Sequence, residues 1–311
     1  MSAPNPSFAT RILPYGAAAI DTAARVIADG GCVAVPTETV YGLAADATDS
    51  HAVAGIYAAK GRPSFNPLIV HVLDLDQAKG IARFDHEALA LVERYWPGPL
   101  TLVLPLAADA PVAALVTAGL GTVAIRSPAH RAMRALLAAA GRPLAAPSAN
   151  ASGTISPTRA EHVAASLGGR IPLILDDGAT PGGLESTIVD PARRQVLRPG
   201  PIPGEVLNYA RAAGDVAISA PGQLASHYAP AKPLRLNATA PRAGEWLIGF
   251  GEVAGDDSLS ASGDLIEAAA RLFDALHRAD ASDACAIAVA PVPAHGIGEA
   301  INDRLARAAA R

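Results

Sequence analysis

The chain has 311 residues, of which half are hydrophobic and only 4% aromatic, so small aliphatic side chains must fill its core. This length predicts two domains, and the net charge of −4 gives no sign of nucleic-acid binding through bulk positive charge. Cys32 and Cys285 lie far apart in apolar contexts, which argues against a disulfide framework and a cysteine metal site. Because no apolar segment suits a signal peptide or a membrane span, we expect a cytoplasmic protein.

Predicted helices and strands alternate along the chain, which indicates an α/β fold with a largely open, mixed sheet. In chain order we predict helix 17–29, strand 32–36, a polar loop over 37–43, helix 51–59, strand 68–72, helices 74–81 and 87–95, strands 100–106 and 122–126, helix 129–140, strand 144–147, a helix opening at 156, strand 172–175, a loop and strand within 184–190, a closing segment at 195–200 and helix 203–212.

The composition changes near residue 219 to Pro, Gly, Ser, His and Tyr with little periodicity, which is typical of a linker. A second α/β unit follows, with strand 245–250, helix 264–276, strand 285–292 and helix 298–309. We therefore predict a first domain over 1–213, a linker over 214–233 and a C-terminal domain over 234–311.

Residues 60–67, Lys-Gly-Arg-Pro-Ser-Phe-Asn-Pro, predict a short basic loop between a helix and a buried strand. Gly61 frees the backbone, and the two prolines prevent the loop from continuing the helix. Lys60 and Arg62, held side by side on a rigid loop, suit an anion such as a phosphate. The alternative is a solvated basic turn, and these eight residues do not decide between the two.

Further polar loops follow the predicted strands, where open α/β sheets bind their ligands. Apart from Glu38 and Glu185 they carry hydroxyls, amides and cations, which suits a polyanion and a small polar partner better than paired-carboxylate catalysis. The sequence contains no Walker A, Rossmann, zinc-protease or nucleophile-elbow signature. These loops lie at residues 37–39, 60–66, 126, 148–150, 186–187 and 198.

Several of these residues also have a purely structural interpretation. Ser156 is favoured as a helix cap with Pro157 at the first helical position, and a capping box at Thr158 would shift the start by two residues. His71 lies within an apolar strand and, taken alone, is favoured as a core histidine. Arg126 ends a buried strand and needs a partner, for which a ligand carboxylate is one candidate.

Six short motifs follow one another along the first two thirds of the chain. They are Pro-Thr-Glu-Thr-Val-Tyr-Gly-Leu at 36–43, Lys-Gly-Arg-Pro-Ser-Phe-Asn-Pro-Leu at 60–68, Trp-Pro-Gly-Pro-Leu-Thr at 96–101, Ala-Pro-Ser-Ala-Asn-Ala-Ser-Gly at 146–153, Gly-Leu-Glu-Ser-Thr-Ile-Val-Asp at 183–190 and Leu-Arg-Pro-Gly at 197–200. In this order they resemble the YrdC/Sua5 family. Ala-Pro-Gly at 220–222 and His-Tyr-Ala-Pro at 227–230 resemble the linker of its long Sua5 form.

The resemblance implies a twisted sheet with helices around a large concave cavity, a linker that folds over the active site, and a small Rossmann-like C-terminal domain. It implies an L-threonylcarbamoyladenylate synthase, a nucleotidyltransferase that joins L-threonine, bicarbonate or CO2, and ATP to give threonylcarbamoyl-AMP and pyrophosphate. Mg2+ would accompany ATP, held mainly by the phosphates and not by a protein metal site. A downstream transferase complex would then modify tRNA to N6-threonylcarbamoyladenosine (t6A).

Carried over by position, the same resemblance implies two neighbouring ligand sites. L-threonine would be held by Thr39, His71, Arg126, Ser186 and the backbone of Ala146. ATP would be bound by Lys60, Arg62, Asn66, Thr122, Ser148, Asn150, Ser156 and Arg198, with His227 and Tyr228 folding from the linker over the nucleotide. Lys60 and Arg62 would also be catalytic, because they would offset the charge that develops on phosphorus and on pyrophosphate.

Two other functions are consistent with parts of the sequence. A non-catalytic protein could dock double-stranded RNA on the same concave surface by shape and phosphate contacts, although the net negative charge weighs against more than weak contact with RNA or tRNA. Related domains also resemble parts of carbamoyl-phosphate-using transferases. The zinc-finger-like modules of those enzymes are absent from this sequence.

Overall fold

The computed structural model describes residues 8–212 and 227–310, which form two sheets flanked by helices. Strands between residues 11 and 211 build an eleven-stranded sheet, and strands between residues 234 and 289 build a four-stranded sheet. The predicted α/β class with a large mixed sheet is confirmed. Most of the predicted linker, residues 214–226, lies outside the described residues. Among the described helices, none combines the length and the apolar character that a bilayer span requires.

The elements are numbered in chain order. The strands are β1 (Arg11–Pro14), β2 (Val33–Pro36), β3 (Tyr41–Asp46), β4 (Ile69–His71), β5 (Leu100–Pro105), β6 (Thr122–Arg126), β7 (Leu144–Ala145), β8 (Leu173–Asp176), β9 (Thr187–Asp190), β10 (Gln195–Arg198), β11 (Ala210–Arg211), β12 (Leu234–Arg235), β13 (Glu245–Gly249), β14 (Asp257–Ser258) and β15 (Ala286–Val289). The helices are α1 (Ala17–Ala28), α2 (Ser50–Lys60), α3 (Leu75–Lys79), α4 (His86–Tyr95), α5 (Ala114–Thr117), α6 (Arg131–Ala140), α7 (Ala160–Leu167), α8 (Gly204–Leu207), α9 (Leu265–Ala281) and α10 (Gly298–Ala309).

The large sheet mixes parallel and antiparallel neighbours in the order β1-β8-β2-β3-β7-β4-β6-β5-β9-β10-β11. Strands β4 and β6 are parallel, and their register places His71 beside Arg126. Because side chains alternate along a strand, these two residues share a face with Ile69 and Ala124. That face is apolar in the middle of the strands and polar where they end, which positions the candidate site.

The smaller sheet is parallel throughout, in the order β12-β15-β13-β14. Helices α9 and α10 bury apolar residues against it, and Leu184 and Tyr228 belong to the same apolar cluster. Gly183 has a φ of +67°, and a Cβ at this position would stand 2.4 Å from the carbonyl oxygens of Ala269 and Ala270 on α9. The two sheets are therefore joined by direct packing of the 183–184 segment against α9.

Three predicted elements are wrong in part. The polar loop predicted over 37–43 ends at residue 40, because Tyr41 begins β3, which pairs antiparallel with β2. The helix predicted over 203–212 is limited to the four residues of α8, since Asn208 adopts a left-handed conformation and β11 follows. The helix predicted to open at Ser156 begins at Ala160, and no side chain caps its first turn.

Candidate active site

A cavity lies where β4, β6 and β10 end, and we call it the site cavity. The loops after β2 and β7 and the segment before β9 complete its wall. The predicted site residues that line it are Thr39, Arg62, His71, Arg126, Ala146, Ser148, Ser186, Arg198, His227 and Tyr228. Lys60, Asn66, Asn150 and Ser156 contact these lining segments from behind.

Arg126 forms a buried corner of the site cavity with the loop after β2. Its Nη1 donates to Thr39 Oγ1 at 3.1 Å and its Nη2 donates to Glu38 Oε1 at 2.5 Å, while Nε donates to the Gly98 carbonyl at 3.0 Å. Burial raises the pKa of the Glu38 carboxyl, but the charge and hydrogen bond of Arg126 bring this pKa below its ordinary value. A guanidinium has five N–H groups, so this ion-paired corner retains donors for a ligand carboxylate.

His71 is buried next to this corner and its Nδ1 lies 3.3 Å from the Ile69 carbonyl oxygen. Burial, together with the nearby Arg126 charge, lowers the pKa of His71 to about 3, so the ring is neutral at pH 7. Because a carbonyl can only accept, this contact favours the tautomer with the proton on Nδ1 and an acceptor at Nε2. His71 is therefore both buried in the sheet and part of the cavity lining.

Arg198 and Ser186 form one hydrogen-bonded unit on another wall. The Arg198 Nε and Nη2 donate to the Ser186 carbonyl at 3.1 and 3.0 Å, and Nη2 also donates to Ser186 Oγ at 3.1 Å. The Ser186 hydroxyl in turn lies 2.7 Å from Thr101 Oγ1. The serine hydroxyl is thus fixed in position, and burial lowers the pKa of Arg198.

Lys60 connects the basic loop to the Ser148–Asn150 loop. Its Nζ donates to the carbonyl oxygens of Ser148 at 2.6 Å and Asn150 at 2.5 Å. Burial, and to a smaller extent the Arg62 charge, lower the pKa of Lys60. The two loops quoted from the sequence are therefore held together by the lysine itself.

Arg62 completes a cluster of three buried cations. It donates to the carbonyl oxygens of Asn66 at 3.1 Å and Pro67 at 2.8 Å, and burial lowers its pKa to about 10. In the described part of the chain, none of Lys60, Arg62 and Arg198 forms an ion pair with a carboxylate. Because buried charges are normally paired, this cluster indicates a site for an anion.

Four buried polar atoms around the site cavity have no hydrogen-bond partner within residues 8–212 and 227–310. They are Asn66 Oδ1, Asn150 Oδ1, His227 Nδ1 and the Tyr228 hydroxyl. Buried polar atoms are almost always hydrogen bonded, so a group of four at one place needs an explanation. A bound ligand that supplies both donors and acceptors would satisfy them.

Glu185 lines the site cavity, and both of its carboxylate oxygens have partners. One carboxylate oxygen accepts from the Ser156 hydroxyl, and the other accepts from Arg304 Nε at 2.8 Å. The favoured interpretation of Ser156 as a helix cap is therefore wrong, because its hydroxyl is directed to Glu185. Burial raises the pKa of Glu185, but the Arg304 and Arg198 charges bring it below its ordinary value.

His227 and Tyr228, the first described residues after the gap, reach the site cavity. The Tyr228 ring is buried 5.5 Å from the Phe273 ring on α9, and its backbone has a φ of 64°. His227 packs edge-on against Tyr228 with ring centroids 4.0 Å apart. Burial lowers the pKa of His227 to about 3, so it is neutral at pH 7.

Thr122 is the one predicted site residue that the structure places away from the others. It lies at the start of β6, whereas Arg126 ends that strand. Thr122 lines a separate cavity with Val103 and Arg193. Its assignment to ATP stays a prediction.

Sequence reasoning missed Thr101 and Arg304. Thr101 ends the Trp-Pro-Gly-Pro-Leu-Thr motif, and its hydrogen bond to Ser186 gives a physical reason for a hydroxyl there. Arg304 lies on a helix rich in charged residues, where an arginine normally faces solvent. No pattern in the sequence shows that Arg304 is wholly buried.

Comparisons with known proteins point to one family. A family model of Sua5, YciO and YrdC proteins, described as "Telomere recombination", matches residues 25–200, and one described as "Threonylcarbamoyl-AMP synthase, C-terminal domain" matches residues 194–310. Threonylcarbamoyl-AMP synthases of Pyrococcus abyssi and Bacillus subtilis are each 40% identical to this chain, covering 93% of it and 93% and 92% of their own lengths. The crystal structure of P. abyssi Sua5 complexed with L-threonine has a TM-score of 0.86 at 37% identity, covering 96% of this chain and 97% of that one.

The fold and the site cavity define an α/β protein with a buried cluster of cations next to the Arg126–Glu38 corner. With a family model matching more than half of its length, the chain belongs to the Sua5/YciO/YrdC family. The match at residues 194–310 places it with the long Sua5 form. The resemblance predicted from the six motifs is confirmed.

Proposed function

We propose that the site cavity adenylates the carbamate of L-threonine, which makes the chain an L-threonylcarbamoyladenylate synthase. The observation that carries this proposal is the cluster of Lys60, Arg62 and Arg198, buried without carboxylate partners in the described residues, beside the Arg126 corner. One region suits a polyphosphate and the other suits an amino-acid carboxylate. The names of the relatives and the threonine-bound P. abyssi structure support both assignments.

L-threonine would occupy the corner formed by β4 and β6. Its carboxylate would accept from the remaining N–H groups of Arg126, and Thr39, His71 and Ser186 would bond its hydroxyl and amine. The Ala146 N–H already donates to the Ile69 carbonyl at 3.0 Å. Only the carbonyl oxygen of Ala146 would therefore serve the ligand, as an acceptor for the threonine amine.

ATP would lie against the cationic cluster, with its phosphates next to Lys60, Arg62 and Arg198. Asn66 and Asn150 present unpaired amide oxygens, which suit the adenine amine or ribose hydroxyls. The nearby hydroxyls of Ser148, Ser156 and Tyr228 and the His227 ring would complete the nucleotide contacts. This arrangement would satisfy the four unpartnered atoms described above.

The chemistry needs no nucleophile from the protein. The threonine amine attacks CO2 and loses a proton, which gives a carbamate. A carbamate oxygen then attacks the α-phosphorus of ATP, the bond to the bridging oxygen breaks, and pyrophosphate leaves. Lys60 and Arg62 would offset the negative charge that develops on the phosphates. The remaining rate acceleration would come from holding the carbamate oxygen next to the α-phosphorus.

Mg2+ would enter with ATP. Glu185 of the cavity lining pairs with Arg304, and Glu38 of the neighbouring corner pairs with Arg126. The residues present therefore fit a cation held mainly by the phosphates, whose negative charge it would partly neutralise when bound.

We also propose that the protein acts in the cytoplasm and that its product passes to a t6A transferase complex. The labile mixed anhydride requires an acceptor enzyme to use it before water does. Direct contact with tRNA would be weak, because the net charge of −4 provides little attraction for phosphates. A non-catalytic double-stranded RNA-binding function is not favoured.

The direct test supplies ATP, L-threonine and bicarbonate to the purified chain and measures both pyrophosphate and threonylcarbamoyl-AMP, the latter by mass spectrometry. We expect both products in equal amounts, and their loss in Lys60→Ala. Lys79→Ala is the matched control, because Lys79 is an exposed lysine on α3. Pyrophosphate release that does not depend on threonine would overturn the substrate assignment.

A further inference from the structure

Arg304 is the largest side chain in the described residues that is fully buried, and it comes from α10 of the C-terminal unit. Its Nε donates to Glu185 at 2.8 Å, its Nη1 to Asp303 at 2.9 Å and its Nη2 to the Pro199 carbonyl at 2.9 Å. Its guanidinium carbon lies 5.2 Å from the centre of the Tyr228 ring. One residue outside the large sheet thus contacts three separate segments of the site-cavity wall.

The charges around Arg304 explain why an arginine is needed there. Glu185 lines the site cavity and lies one residue before Ser186, which Arg198 binds. Without Arg304, the Glu185 carboxylate would be buried with Ser156 as a neutral partner and Arg198 as the nearest cation. It would then partly neutralise the cations of the wall that must attract phosphates, and it would itself repel the phosphates.

We propose that Arg304 is a positioning residue for the nucleotide site: it pairs with Glu185 so that Arg198, Arg62 and Lys60 keep their charge for the phosphates. This inference rests on the proposed function and assigns a role in it to the C-terminal unit. Arg304 itself touches no substrate. It acts by keeping the Glu185 charge away from the cationic cluster and by supporting Tyr228.

The proposal predicts separate effects on the two substrates. In Arg304→Met, we expect the Kd for ATP and the KM for ATP to rise about tenfold or more, because an uncompensated buried carboxylate opposes the phosphates. The Kd for threonine should change less than about threefold, since Arg126 is paired with Glu38 and not with Glu185. Arg304→Lys keeps the charge and should recover part of the ATP affinity.

A double substitution distinguishes this role from simple support of the fold. Adding Glu185→Gln to Arg304→Met removes the unpaired charge, so ATP affinity should rise again relative to Arg304→Met alone. Calorimetry with ATP and with threonine, together with thermal unfolding of each variant, gives the readouts. Equal loss of both affinities, unchanged ATP affinity, or no recovery in the double variant would each overturn the proposal. If the unsubstituted protein makes no threonylcarbamoyl-AMP, the proposed function fails instead, and the two failures remain distinct.

Discussion

At the scale of residues, the cations of the site differ in whether they have a carboxylate partner. Arg126 shares its charge with Glu38 and still keeps N–H donors, whereas Lys60 and Arg62 donate to backbone carbonyls and have no carboxylate partner in the described structure. A guanidinium paired with a carboxylate is held in a fixed orientation, so its remaining N–H groups select a ligand by the direction of their hydrogen bonds. Buried cations that contact only neutral groups respond more strongly to an arriving anion.

Arg126→Lys should show that geometry and not charge alone selects threonine. An ammonium cannot bridge Glu38, Thr39 and a ligand carboxylate in the same plane, so we expect the Kd for threonine to rise about tenfold to a hundredfold. Isothermal calorimetry measures this, with ATP binding as the internal reference that should change little. A threonine affinity equal to that of the unsubstituted protein would show that the ligand carboxylate binds elsewhere.

At the scale of elements, the sequence predicts the long periodic segments well and the short irregular ones poorly. Strand β6 and helix α10 agree with prediction to the residue, because β6 is a short continuous apolar run that ends at a charged residue and α10 has a helical apolar period. The first three residues of strand β3 fall in the predicted loop because their motif looks polar and turn-like, yet the strand is buried along its whole length by tertiary packing. The helix predicted over 203–212 failed because its ending depends on one left-handed asparagine, Asn208.

The sequence predicts those parts of the candidate site that lie within one short motif, and it does not predict contacts between distant residues. Residues near each other in a motif, such as Lys60 and Arg62, carry a recognisable local pattern. The pairing of Glu185 with Arg304 joins residues 119 apart, and no local pattern records it. Ser156 followed by Pro157 looks like a helix start because capping needs only local residues, whereas its actual partner Glu185 is supplied by the fold.

The segment that joins the two units gives a testable element-scale prediction. Gly183→Ala should destabilise the protein by more than about 2 kcal/mol, because it adds the cost of a left-handed conformation to a clash with the α9 backbone. Gly119→Ala is the matched control: Gly119 also has a positive φ, +79°, but a Cβ there meets nothing within 4 Å. Gly119→Ala should lower the free energy of unfolding by only about 1–2 kcal/mol. Denaturant unfolding measures both, and equal costs would contradict close packing at residue 183.

At the scale of the whole molecule, the two units share an interface that includes titratable groups. His162 of α7 stacks on His277 of α9 with ring centroids 3.8 Å apart, beside an ion pair between Arg159 and Asp274. Burial, with a further contribution from His277, lowers the pKa of His162 to about 3, and burial also lowers the pKa of His277. Both rings are therefore neutral in the folded protein at pH 7.

Acid should weaken this interface. A histidine whose pKa is lower in the folded state than its ordinary 6.5 stabilises the fold fully above that value and progressively less as the pH falls from 6.5 towards 3. We expect the free energy of unfolding to fall between pH 7 and pH 5, and to fall less in His162→Gln. His295→Gln, at an exposed site, is the control and should behave like the unsubstituted protein. Identical pH profiles for all three proteins would contradict this assignment.

The buried pair of Glu185 and Arg304 also affects when the site can form during synthesis, because the ribosome adds Glu185 before Arg304. At about 5–20 residues per second, the 119 residues between them take about 6–24 s to synthesise. During that interval a large part of the eleven-stranded sheet already exists, but its glutamate has no arginine from α10 to neutralise it. The nucleotide site is therefore expected to mature only after α10 has been made and has docked, so that catalysis begins with a finished chain.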